Sequence, residues 1–484
     1  MRLHLTIRPL ASFLIVCAVS ALSFAQPRTV VVSRVHYAGN TFGDVTPFPF
    51  IFADVGVTGI QGNIFLDRYI DNPGFPRIGT LPLTGLTTSF SSKSEGALMR
   101  SVNGQYLTYM GYAGPVGANG VSNSYTTGAG TDLKPGTSPR YDRAVALIAA
   151  DGSYTVTNES NAYSGDNPRA AISADGNQFY MAGNSDSTTY KSPDPFAPGP
   201  GSTIGARYGT PVSSLSYQLG IYVAADRADE STKQHVKDNN FRGIGIINNT
   251  LYVSKGSGGN GDDGLYQVGA TGILPTGTAN TLSFLFGAPA TCANPPVNCT
   301  TPGASSPYTP FGFWFADADT VYVADEGNPN LDPSGNLIPD PLAGLEKWKK
   351  INGTWQLLYT LQAGLNLYRP VNVSNYPVPT YTYGLRNMTG EHTDEDAVTI
   401  YAITSQWSTV SGGEPDPTKL VKITDSLAAE SLPAHEHFET VLTSPAGEVF
   451  RGVAFSPCGP AGDRGLGGDA GPACKEHDQE GGQE

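Results

Sequence analysis

No stretch of the 484-residue sequence repeats apolar residues at the spacing of an amphipathic helix, which excludes a helical bundle. Charge is sparse: Asp, Glu, Lys and Arg make up 15% of the chain, and 29 basic residues stand against 43 acidic ones, a formal net charge of −14. Binders of nucleic acid or anionic membranes draw affinity from a basic surface, so both classes are excluded. Apart from residues 11–22 there is no long apolar run, and that one is too short to span a bilayer. Cysteine is rare (5) and never spaced C-x-x-C, so the usual cysteine zinc pattern is absent. Histidine is scarce (7), and no Gly-x-Ser-x-Gly elbow or Ser-His-Asp order stands out.

Glycine (58) and proline (37) are plentiful, and they punctuate short runs such as "RTVVVSR", "TLYVSK", "TVYVAD" and "VTIYAIT". Runs of β-branched and aromatic residues bounded by turn formers are strands, so the sequence predicts an all-β chain. Arg2 and Arg8, the apolar 11–22 and "SFA" at 23–25 form a secretory signal, with the mature chain starting near Gln26. Cys17 follows Val16, a poor lipoprotein pattern, so a soluble secreted or periplasmic product is expected. Four cysteines remain. They allow three pairings, and the local ones, Cys292–Cys299 and Cys458–Cys474, are expected as disulfide staples. Residues 458–484 read as a disordered Gly-rich acidic tail.

An internal repeat decides the architecture. "SEGALM" (94–99), "NPRAAI" (167–172), "FRGIGI" (241–246), "PFGFWF" (310–315), "TYGLRN" (382–387) and "FRGVAF" (450–455) align. They place Glu95, Arg169, Arg242, Phe311, Tyr383 and Arg451 at one position, at intervals of 68 to 74 residues. Each copy but the last is followed by a second strand and then by two weaker ones. The repeat is a four-stranded blade, and the sequence predicts a six-bladed β-propeller over residues 26–457. The last copy lacks a second strand. That partner lies at the other end, where "RTVVVSRVHYAGN" (28–40) matches "NTLYVSKGSGGN" (249–260), with Arg34 at the place of Lys255. The C-terminal inner strand (448–457) therefore pairs with N-terminal strands within 28–83, closing the ring and hiding its edges.

Residues "SVNGQYLTYMGY" and "SADGNQFYMAGN" resemble blades of TolB-type propellers, and "TVYVADEGNPN" resembles the second strand of an NHL repeat. Through "TSFSSKSEGAL", "NAYSGDNPRAAI", "LYTLQAGLNL" and "TIYAITS" the chain resembles a group of uncharacterised exported bacterial propeller proteins of similar length. The resemblance implies export and the propeller fold and carries no catalytic residue with it. Asp boxes of the sialidase type, quinoprotein tryptophan motifs and the carboxylate-rich motifs of calcium-dependent phytases find no clear match.

In a propeller, first strands start and second strands end on one axial face. The sequence puts Arg34, Glu95, Arg169, Arg242, Lys255, Phe311, Asp325 with Glu326, Tyr383, Thr404 and Arg451 there, with Lys93, Tyr163, Asn240, Tyr308, Tyr381 and Arg386 on adjoining segments. Guanidinium forks suit a carboxylate or phosphate, and Tyr and Phe suit a sugar ring. The competing reading pairs these Arg and Glu residues with one another to hold the blades together. The stretch 325–340 offers oxygen ligands, Asp325, Glu326, Asn328, Asn330, Asp332 and Asn336, for Ca2+ in a flexible loop. Its spacing is not an EF-hand, and it also reads as an ordinary turn. His435 and His437 have no third zinc ligand nearby in sequence. His36 is the one histidine placed to act as an acid or base at the axial face.

Three functions follow. The first is a monomeric exported propeller binding an anionic small molecule, a glycan or an envelope component. The second is an enzyme: a lyase or hydrolase of acidic polysaccharide, or a calcium-dependent phosphoesterase; in a lyase, Arg neutralises the uronate while Tyr or His36 takes the adjacent proton. The third is a scaffold for a protein partner.

Overall fold

The computed structural model of the chain describes residues 28–37, 60–90, 92–127, 139–159, 163, 167–183, 241–256, 263–275, 282–288, 308–327, 334, 339–408 and 416–458, and the backbone of 202–209 and 219–224. The expected signal segment, Cys292, Cys299 and Cys474, and residues 459–484 lie outside the described residues. The described chain is all-β apart from one turn of 3-10 helix at Val121–Asn123. No helix among the described residues is long and apolar enough to cross a membrane.

The strands come in successive antiparallel groups. First are β1 (Thr29–His36), β2 (Gln61–Ile70) and β3 (Arg77–Ser89), then β4 (Leu98–Arg100), β5 (Tyr106–Tyr112), β6 (Arg143–Ala149) and β7 (Tyr154–Glu159). Next come β8 (Pro168–Ser173), β9 (Phe179–Gly183), β10 (Ser202–Gly209) and β11 (Leu219–Ala224). They are followed by β12 (Phe241–Ile247), β13 (Thr250–Lys255), β14 (Asp263–Val268) and β15 (Leu282–Ala288). A further group is β16 (Pro310–Phe315), β17 (Thr320–Asp325), β18 (Gly344–Ile351) and β19 (Thr354–Leu361). The last is β20 (Pro370–Val371), β21 (Thr380–His392), β22 (Ala397–Trp407), β23 (Lys419–Ser426) and β24 (Glu439–Thr443). The final strand, β25 (Glu448–Phe455), returns to pair antiparallel with β1, so the order β25-β1-β2-β3 completes a four-stranded unit from both ends of the chain. A single residue pair, Thr87↔Tyr112, joins this unit to β5.

The turns explain the pairing. Between β12 and β13, Asn248 and Asn249 both have positive φ (46° and 56°), and between β18 and β19 so do Asn352 and Gly353 (51° and 81°). Two-residue loops of this kind twist in the same sense as the strands they join and set the hairpin register.

Each sheet buries one face against the next. Met110 and Val145 meet Ala171 and Met181. Ala170 and Tyr180 meet Ile244 and Val253. Leu265 and Phe286 meet Phe313 and Val323. Tyr322 and Leu345 meet Leu385 and Ile400. Tyr401 and Leu420 meet Val32 and Val453. Val31 and Leu66 meet Leu98 and Tyr109, which brings the succession back to β4 and β5. The arrangement is propeller-like, with β4, β8, β12, β16, β21 and β25 as the neighbouring inner strands.

Two details differ from the sequence expectation. The first inner strand begins only at Leu98, because Gly96 (φ 81°) turns the chain just before it, and Glu95 stands ahead of the strand. Ordered packing also reaches past 457: Cys458 is buried and its N–H donates to the Gly104 carbonyl (2.9 Å).

Candidate functional site

The position that the repeat alignment picks out is a β-bulge. In β8 the register shifts around Arg169, in β12 around Arg242–Gly243, in β16 around Phe311–Gly312, in β21 around Tyr383 and in β25 around Arg451. A bulge sets two residues against one and re-aims a side chain out of the alternation. A second bulge in β21, around Arg386–Asn387, does the same for Arg386. The sequence contains the residues but not this device, because a bulge is a mismatch of count between two strands.

Side chains from the turn before β4, from β12 and from β21 converge on one carboxylate, that of Glu326, just past the end of β17. Lys93 Nζ lies 2.6 Å from Glu326 Oε1, Arg242 Nη1 3.4 Å from Oε2, and Arg386 Nη2 3.7 Å from Oε1. Lys93 and Arg386 also donate to the Tyr383 hydroxyl, at 3.3 Å and 3.1 Å. The Arg242 guanidinium lies 5.2 Å from the centre of the Phe311 ring, and Lys93 Nζ 5.8 Å from that of Tyr383, both within cation–π range. The Arg242, Glu326 and Arg386 side chains are under 10% exposed, whereas Lys93 is 25% exposed and opens the cluster to solvent.

The electrostatics follow from this crowding. Burial works to raise the Glu326 pKa, but Lys93, Arg386 and Arg242 overcome it and pull the carboxyl down to about 2. Burial works to lower Lys93, and Glu326 reverses it, so the ammonium is held above its ordinary value. Burial, joined by repulsion from Arg386, leaves Arg242 below its ordinary value despite Glu326. Three cations thus face one carboxylate. Among the described residues, the Nε atoms of Arg242 and Arg386 are buried without an acceptor.

The other expected residues are placed differently. Arg34 is taken up within its own sheet by Asp67 (2.6 Å) and Glu448 (2.7 Å). Lys255 pairs with Asp263 (3.3 Å), both buried. Glu95 is fully buried and accepts from Thr88 Oγ1 (2.9 Å), Ser89 N (2.9 Å), Tyr112 OH (2.6 Å) and Asn167 Nδ2 (2.6 Å), tying the end of β3 to β5 and to the approach of β8. Arg169 and Arg451 are buried at their bulges, Arg451 donating to the Phe90 carbonyl. His36 is exposed at the end of β1, in register with Glu448.

The two acids assigned to calcium part company. Asp325 turns to Thr309, accepting from its N (2.9 Å) and Oγ1 (2.9 Å), and to Gly327 N (2.7 Å). Burial and the neighbouring Asp340 push its carboxyl up to about 7. Glu326 turns to the three cations instead. Asn328, Asn330, Asp332 and Asn336 lie outside the described residues. Among the described residues, no three His, Cys, Asp or Glu side chains are grouped to hold a metal ion. The sequence puts Glu326 on the same axial face as these cations but does not show that all three converge on it.

No family model matches the chain, and no curated protein does. Solved structures do. One is the hemagglutinin-neuraminidase ectodomain of parainfluenza virus 5, at 11% identity and TM-score 0.39, with 76% of each chain covered. Another comes from the S. cerevisiae Dbp5 assembly with Nup159, Gle1, IP6 and ADP, at 9% identity and TM-score 0.29, covering 72% of this chain and 91% of that one. Both superpositions are loose, and the fold rests on the strand pairings above.

Proposed function

We propose that the chain is a closed six-bladed propeller, exported, that binds an anionic small molecule or glycan through Lys93, Arg242 and Arg386. Tyr383 and Phe311 form the apolar and hydroxyl walls of this site. The succession of packed sheets and the β25–β1 pairing support the ring. The observation that carries the binding reading is three cations from distant parts of the chain gathered on one carboxylate, within a chain of net charge −14. An acidic protein that keeps such a knot of positive charge at one point, open to solvent at Lys93, has the makings of an anion receptor.

A second reading has its own support: the 2.6 Å Lys93–Glu326 contact ties the segment before β4 to the end of β17, and would act as a staple across the sheets. A thermal-shift screen of the full chain separates the two. The panel is uronic-acid oligosaccharides, inositol phosphates and neutral sugars. A saturable upward shift with an anion class, lost in Lys93→Ala while the unliganded variant melts close to the parent, supports the receptor. No shift with any anion, together with a lowered melting point in Lys93→Ala, leaves the staple.

A further inference from the structure

We infer that the ligand of this site presents a compact dianion, a phosphate monoester, to Lys93, Arg242 and Arg386. The inference rests on the anion-receptor reading and narrows it. Among the described residues, three cations stand against the Glu326 carboxylate, and Asp263, which also attracts Arg242, is itself paired with Lys255 (3.3 Å), so two positive charges are left in excess. Charges removed from water require partners, so a complete site would supply two negative charges.

The geometry says how close together they must be. All three cationic groups lie within 3.7 Å of one or other oxygen of a single carboxylate. Two carboxylates spaced along a polysaccharide cannot both enter so small a knot, whereas one phosphate carries both charges and three acceptor oxygens. Glu326 satisfies the cations unequally. Its 2.6 Å contact with Lys93 is a full charge-assisted bond, but the 3.4 Å and 3.7 Å contacts with the arginines exceed the 2.7–2.9 Å of such bonds. The buried Nε atoms of Arg242 and Arg386 are further donors without acceptors among the described residues. The guanidinium fork is the side chain best matched to phosphate oxygens. Glu326 stays in the site as the counter-ion that holds Lys93 in place.

Titration calorimetry on the full chain with three sugars of similar size tests this. The probes are glucose 6-phosphate, glucuronate and glucose, at pH 7.5. The expected order is glucose 6-phosphate at least tenfold tighter than glucuronate, with no heat from glucose. Lowering the pH to 5 converts the phosphate to its monoanion, the second ionisation lying near 6, and removes most of that advantage. Glu326→Gln, which cancels one negative charge, increases the affinity for glucose 6-phosphate, and Lys93→Ala decreases it. Glucuronate binding as tightly as glucose 6-phosphate overturns the dianion while leaving an anion receptor. No binding of either anion, to the parent chain or to Glu326→Gln, removes the receptor reading itself.

Discussion

Glu326 makes the site sensitive to acid, and two other carboxyls make the fold sensitive to alkali. A carboxyl depressed to about 2 in the folded chain contributes stability that is present above its ordinary value of 4.5 and is lost as pH falls from there toward 2. Asp325, raised to about 7 by burial and Asp340, works the other way. So does Glu436, raised to about 8 by burial and by Asp425. Both bind a proton more tightly folded than unfolded, so the stability they add is complete in acid and is lost as pH rises from about 4 through 7 to 8. The melting temperature against pH should therefore be bell-shaped. Glu326→Gln should flatten the acid limb and Glu436→Gln part of the alkaline one; limbs unchanged in these variants would mean other groups set them. The sequence reads Asp325 and Glu326 both as oxygens of one calcium loop and as second-strand ends on the axial face. Adjacent residues of an extended chain face opposite ways, which separates them, but the pairing of Glu326 with cations from distant parts of the chain could not be read locally.

The inner strands β12, β16 and β25 each combine a bulge with a glycine that lets the next sheet come close. A Cβ on Gly243 would sit 2.6 Å from the Phe311 carbonyl of the following inner strand, and one on Gly452 would sit 2.4 Å from Leu98 N and 2.6 Å from the Gly96 carbonyl. The second strands complete the device. Ser254 Oγ accepts from Gly243 N (2.8 Å) and donates to the Phe311 carbonyl, while Ser33 Oγ accepts from Gly452 N (2.7 Å) and donates to the Gly96 carbonyl (3.3 Å). Backbone cannot yield as a flexible side chain can, so Gly452→Ala should cost about 1–3 kcal/mol by overpacking, measured by denaturant titration. A loss within about 0.5 kcal/mol, the range of an indifferent surface change, would mean that β25 and β4 are free to move apart. The repeat was legible because the period and the Arg-Gly, Phe-Gly and Tyr-Gly pairs recur. The serine bridge was visible only as the match between the Ser33–Arg34 and Ser254–Lys255 segments, and its meaning needed the register.

For the whole molecule, β25 is the strand on which closure of the proposed ring depends. It pairs with β1 along Val30–His36, and its other side packs on β4, where Gly452 meets Leu98. Removing it would leave the β1 edge unpaired and strip Phe450, Val453 and Phe455 from the cluster they share with Val30, Val32, Tyr401 and Leu420. Hydrophobic contact on both faces would be lost at once, and an exposed edge strand invites pairing with other chains. A chain ending at residue 447 should therefore lose cooperative melting and self-associate, as read by calorimetry and light scattering, while one ending at 458 should melt like the full chain. The difference between these two endpoints isolates β25 from the Gly-rich residues beyond it. If the shorter chain still melts in one sharp transition as a monomer, the β25–β1 pairing is dispensable, and the proposed ring is an open arc of sheets rather than a closed one.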